Sequence, residues 1–68
     1  MNYELTVWCR RNGVSCDAGT HDQGDFASDA LAETALRKSA QGLLKYYDEI
    51  GCTILCGSRV VAKWTLRR

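Results

Sequence analysis

The chain has 68 residues, a net charge of +1 and an apolar fraction of 46%. That length makes a single domain, 1–68, with room for one layer of helix on one layer of sheet. The near-neutral charge argues against both a strongly basic nucleic-acid binder and an acidic mimic of DNA. No apolar run approaches the ~20 residues that a membrane span needs. A strand pattern beginning at Asn2-Tyr3 leaves no room for a signal peptide, so the expected location is the cytoplasm, with no membrane partner.

Tyr3-Glu4-Leu5-Thr6-Val7-Trp8-Cys9-Arg10 alternates. Tyr3, Leu5, Val7 and Cys9 share one face, and Glu4, Thr6, Trp8 and Arg10 share the other, which predicts a strand. Asn12-Gly13 follows and predicts a type I′ turn, because both central residues must take positive φ. Val14–Ala18 is then the return strand, with Arg11 facing Val14, Cys9 facing Cys16 and Val7 facing Ala18. Gly19–Asp25 is polar and glycine-rich and reads as a loop.

Ser28–Ile50 is the longest periodic stretch and predicts a helix. Asp25 or Ser28 can cap its start. Ala32, Ala35, Leu36, Ser39, Leu43, Tyr46 and Ile50 fall on one face, and Gly51 suits the stop. A straight helix of that length spans roughly 34 Å against ~23 Å for a seven-residue strand, so it must overhang the sheet or bend near Gly42.

Cys52–Cys56 is a short apolar strand, and Gly57-Ser58 suits a type II′ turn into Arg59–Leu66. Under that turn, Leu55 faces Val60 and Thr53 faces Ala62, and a one-residue change in turn length would flip one of the two strands. The uncharged face (Thr53, Leu55, Val60, Ala62, Trp64, Leu66) should then meet the helix. Cys52, Ile54, Cys56, Arg59, Val61 and Lys63 should face away. The order is ββαββ. A right-handed crossover favours an antiparallel sheet in the order 2-1-3-4, an α+β fold with one helix on one face.

Charge is unevenly placed. Asp17, Asp22, Asp25, Asp29 and Glu33 lie in a stretch without bases, and Arg59, Lys63, Arg67 and Arg68 in one without acids. The ordinary reading is that the acids serve the helix start and the bases guard an edge strand.

Four cysteines are many for this length. Cys9 and Cys16 would oppose each other with Cα atoms about 5.5 Å apart, within disulfide range. Cys52 and Cys56 would be ~13 Å apart on a regular strand, too far to share a tetrahedral zinc. The default for all four is a small buried hydrophobe. A disulfide and a Cys-stapled zinc module are the alternatives, and no cofactor or metal is expected. His21 stands alone in a polar segment with no orienting acid or nucleophile fixed beside it. P-loop, GxGxxG and HExxH patterns are absent, so no catalytic residue and no enzyme are expected.

In a one-helix, one-sheet protein the far sheet face is uncovered. Trp8, Arg10, Ile54, Arg59, Val61 and Lys63 would lie there together. Mixed aromatic, apolar and arginine composition suits a protein interface, including one with a second copy as a homodimer. The acidic stretch 17–33 is a second candidate surface. A nucleic-acid module using Trp8, Trp64 and the basic carboxyl end is the rival reading, made less favourable by the net charge.

At Ile54-Leu55-Cys56-Gly57-Ser58-Arg59-Val60-Val61-Ala62, preceded by the Ala-rich Asp29–Leu36 helix, the chain looks like small phage-encoded anti-CRISPR proteins directed against type I surveillance complexes. The likeness lies in a hairpin–helix–hairpin layout and an Ile-Leu-Gly-Ser-like turn, which Cys56 interrupts. It covers roughly the last forty residues. It implies a compact, non-enzymatic, phage- or mobile-element-encoded inhibitor that binds a Cas protein or complex in the cytoplasm of a bacterial host cell. It carries over no binding residue.

Overall fold

The computed structural model describes residues 1–68. The elements are β1 (Asn2–Arg11), β2 (Val14–Ser15), β3 (Gly19–Asp25), α1 (Asp29–Gln41), a 3₁₀ turn (Gly42–Lys45), β4 (Glu49–Cys56) and β5 (Arg59–Arg67). The fold is α+β: the five strands make one antiparallel sheet in the order β2-β1-β4-β5, with β3 as an unexpected extra strand on the β2 side of β1, and the single helix packs on one face.

The first hairpin forms as its turn chemistry dictates. Asn12 (φ 52°) and Gly13 (φ 79°) both take positive φ, and Arg11 pairs with Val14. The return strand then breaks, and Val7 pairs with Gly19, not Ala18. Residues 19–25, expected as a loop, form β3 along Asn2–Val7. The physical reason is backbone satisfaction. The two-residue β2 pairs only Arg10 and Arg11, so the rest of that β1 edge would be left without partners. The polar segment fills it despite poor strand propensity, with His21 as an extra residue between the pairs Leu5↔Asp22 and Thr6↔Thr20.

The helix is shorter than its periodicity suggests. Ser28 caps it by accepting from the Leu31 N–H at 3.3 Å. Asp25 instead binds the Met1 amino group at 2.6 Å. The α-helix ends at Gln41 and tightens into the 3₁₀ turn at Gly42. Thirteen residues give about 20 Å, shorter than the roughly 33 Å of the ten-residue β1, so the helix does not overhang the sheet. Only Ala32, Leu36 and Ala40 are buried, a stripe of mostly small side chains that lets the helix sit close. Ala35 and Tyr46 are exposed, and Ile50 belongs to β4.

On β1 the expected core face holds: Tyr3, Leu5, Val7 and Cys9 are buried. On β4 the faces are reversed. The turn is as expected, with Gly57 at φ 64° and Leu55 opposite Val60. Beyond it, however, Ile54 pairs with Ala62, and Val61 is the extra residue of a bulge. A bulge offsets the pairing by one residue and so exchanges the faces of one strand relative to the other. Ala62, Trp64 and Leu66 therefore do meet the helix side, but with Ile50, Cys52 and Ile54, not Thr53 and Leu55.

One polar knot ties three elements. The Tyr3 hydroxyl donates to Asp29 at 2.6 Å, and Arg59 donates to both Asp29 oxygens at 2.9 and 3.0 Å. The bidentate Arg59 contact, then the Tyr3 hydrogen bond, holds the Asp29 carboxyl down at about 2. That same bond, with burial, pushes the Tyr3 phenol up to about 12.

Both shifts fix a pH dependence of stability. The Asp29 contribution should be complete above its unfolded value of ~3.9 and disappear as pH falls through about 2. The Tyr3 contribution should be complete below ~10 and disappear as pH rises through about 12. Urea midpoints measured between pH 2 and pH 6 should fall on the acid side for the native chain, and Asp29→Asn should flatten that part of the drop. An unchanged acid limb in the variant would show that the knot contributes nothing.

Candidate partner-binding face

The face of the sheet away from the helix has no element over it. Its rows follow from the register: Thr6↔Thr53, Trp8↔Gly51 and Arg10↔Glu49 between β1 and β4, then Thr53↔Lys63, Gly51↔Thr65 and Glu49↔Arg67 between β4 and β5. Trp8 is at its centre. A Cβ added to Gly51 would sit 2.0 Å from the Trp8 Nε1, so the indole lies across the glycine backbone. This close approach is what the missing side chain at Gly51 allows.

Arg10 is held by three partners. Its guanidinium lies 5.4 Å from the Trp8 ring centre, its Nε donates to Ser15 Oγ at 3.2 Å, and its Nη1 reaches Glu49 at 3.0 Å. Glu49 is also bound by Arg67 at 2.6 Å and is only 14% exposed. Two arginines around one carboxylate leave this end of the face with a net positive charge. At the other end Glu4 accepts from the Thr20 hydroxyl. Lys63 is exposed and enters no salt bridge. Trp8, Gly51, Thr53, Lys63 and Thr65, with Cys52 and Trp64 of the same two strands, line a depression of about 310 Å³.

Three of the six expected contact residues, Trp8, Arg10 and Lys63, are therefore brought together. The other three are elsewhere. Ile54 is fully buried in the core. Val61 occupies the bulge and packs against the core cluster. Arg59 turns to the helix side and is engaged by Asp29. The reason is the β5 bulge, which puts Leu55 on the bare face in place of Ile54. The acidic stretch is largely occupied as well: Asp29 binds Arg59, Glu33 binds Arg37 at 3.3 Å and Asp25 binds the amino group.

Trp64 does not join Trp8. It lies on the helix side with the Arg37 guanidinium 4.2 Å from its ring centre. All four cysteines are free thiols. No group of three or more His, Cys, Asp or Glu side chains is placed to hold a metal. No helix is long and apolar enough to cross a membrane.

Sequence reasoning missed Gly51, Thr53, Leu55 and the Arg10–Glu49–Arg67 cluster. A glycine within an apolar strand run was a usable signal, since it marks a backbone that something approaches closely. No protein-family model, curated protein or solved structure matches the chain.

Gly51→Ala tests the seating of Trp8. Strand propensity alone would make alanine about 0.5–1 kcal/mol better than glycine. The contact with the indole should reverse the sign, with a loss of about 1–3 kcal/mol from overpacking. In a Trp64→Phe background, Trp8 emission should shift to the red as the ring leaves its seat. A more stable variant with unchanged emission would contradict the geometry.

Proposed function

We propose that the chain is a non-enzymatic domain that binds a protein partner through the bare face of its sheet. One observation carries this reading: Trp8 lies on Gly51 with Arg10 fixed over it, on a face that nothing else in the chain covers. A rigid aromatic beside a positioned arginine is the composition of an interface hot spot, because little side-chain freedom is left to lose on docking. Leu55 adds apolar surface, and Lys63 and the cluster around Glu49 give the face a basic bias. An acidic partner surface would suit it.

The likeness of the helix–hairpin segment to anti-CRISPR proteins names a class of partner. In this reading the chain is a phage or mobile-element inhibitor that occludes a surface of a type I surveillance complex. The rival reading, a single-stranded nucleic-acid module, loses its second stacking platform, because Trp64 is on the other side of the sheet. Stacking proteins use several aromatics along one groove.

The direct test titrates the chain into a purified type I surveillance complex and follows both binding and capture of target DNA. Trp8→Ala should weaken binding about 30-fold or more, the scale of a 2 kcal/mol hot spot. Lys63→Glu should slow association, most visibly at low salt. Binding by the native chain that both variants retain would place the interface elsewhere. No binding to any such complex would reject the named partner while leaving the face itself open to other proteins. Affinity for single-stranded DNA that falls steeply with salt would favour the rival.

A further inference from the structure

A second feature lies on the helix side, in a cleft that the docking face does not use. It holds about 250 Å³ and is lined by Cys9, Cys16, Asp17, His21, Leu43 and Tyr47 among others. Two of these residues are thiols, one step beyond the last paired residues of the first hairpin. The pairs Arg11↔Val14 and Arg10↔Ser15 lead by one further step to Cys9 and Cys16. The Cys16 N–H donates to the Cys9 carbonyl at 2.8 Å. Cys9 and Cys16 both line this cleft. A full hydrogen-bonded antiparallel pair has Cα atoms about 5.5 Å apart, and one of its two bonds is formed here. A disulfide accepts separations of roughly 4.4–6.8 Å.

The two thiols differ in access. Cys16 is exposed and lies where β2 has ended and β3 has not begun. Cys9 is buried, and burial, with Cys16 beside it, pushes its thiol above the ordinary range. The other two cysteines are placed differently. Cys52 is 1% exposed, with a thiol that burial pushes up to about 11. Cys56 lies at the far end of β4, paired with Arg59.

We propose that Cys9 and Cys16 are a reversible thiol pair that closes into a cross-strand disulfide by exchange with a low-molecular-weight disulfide such as oxidised glutathione. The exposed Cys16 thiolate attacks one glutathione sulfur. A mixed disulfide forms, and one glutathione thiolate leaves and takes up a proton. Cys9 then loses its proton to solvent and attacks the Cys16 sulfur, which expels the second glutathione. Two cysteine thiols are oxidised, and one glutathione disulfide is reduced to two thiols. Hydrogen-bonded cross-strand positions are not the easiest geometry for a disulfide. A strained bond is more readily reduced, so the pair should open again in a reducing pool. The bond would pin the hairpin that carries Arg10, next to Trp8 on the same strand.

The test uses the full chain, folded, with excess oxidised glutathione, followed by intact mass and peptide mapping without reduction. The expected product has lost two hydrogens and carries one crosslink, Cys9 to Cys16, that dithiothreitol reverses. It should also melt higher than the reduced chain. Cys16→Ser, at an exposed position, should keep the native circular dichroism and form no crosslink. Cys9→Ala should accumulate glutathione on Cys16. A native chain that holds glutathione on Cys16 with Cys9 still reduced would overturn the proposal. So would a crosslink through Cys52 or Cys56, or a folded chain that does not react.

Discussion

One helix can cover only one face of a sheet, and everything else in this protein follows from which face that is. The covered side is dry: Tyr3, Leu5, Ile50, Cys52 and Ile54 are all at most 1% exposed beneath Ala32, Leu36 and Ala40. Burial of a Leu or Ile side chain is worth about 1.5–3 kcal/mol. A chain this short leaves roughly 40% of its unfolded surface in water even when folded. Side chains that cannot fit under the helix must therefore live on the other face. That face has become a ladder of threonines, one tryptophan on a glycine, and charges held at its two ends.

The Tyr3–Asp29–Arg59 knot is what aligns the helix with the sheet. Asp29 is the first residue of α1, Tyr3 is in β1 and Arg59 opens β5. A carboxylate at a helix start also sits at the positive end of the helix dipole. The knot explains why Arg59, an attractive contact residue on paper, is not on the bare face. Its bidentate bond to Asp29 is a structural contact at the edge of the core, and an arginine so engaged is a poor donor to a partner.

Much of this was legible in the residues. The two turns were, because Asn12-Gly13 and Gly57 demand positive φ. The β1 faces were, because alternation from Tyr3 to Cys9 has no break. The class followed from a single amphipathic stretch between two hairpins. Three things were hidden, each for a physical reason. β3 was hidden because backbone pairing, not side-chain propensity, recruits Gly19–Asp25. The helix end was hidden because Tyr46 and Ile50 continue the helical spacing by coincidence, while the chain tightens into a 3₁₀ turn at Gly42 and Ile50 joins β4. The β4 face was hidden because one extra residue, Val61, reverses it, and Val60-Val61-Ala62 looks the same with or without a bulge. Half of the candidate site went wrong through that one residue.

The claim that most needs measurement is therefore which side of β4 is bare. A soluble paramagnetic agent added to the isotopically labelled chain broadens the signals of exposed groups. The methyls of Leu55 and the indole N–H of Trp8 should broaden, while the methyls of Leu5, Leu36 and Ile54 should stay sharp. Broadened Ile54 methyls beside a protected Leu55 would reverse the sheet and contradict the account.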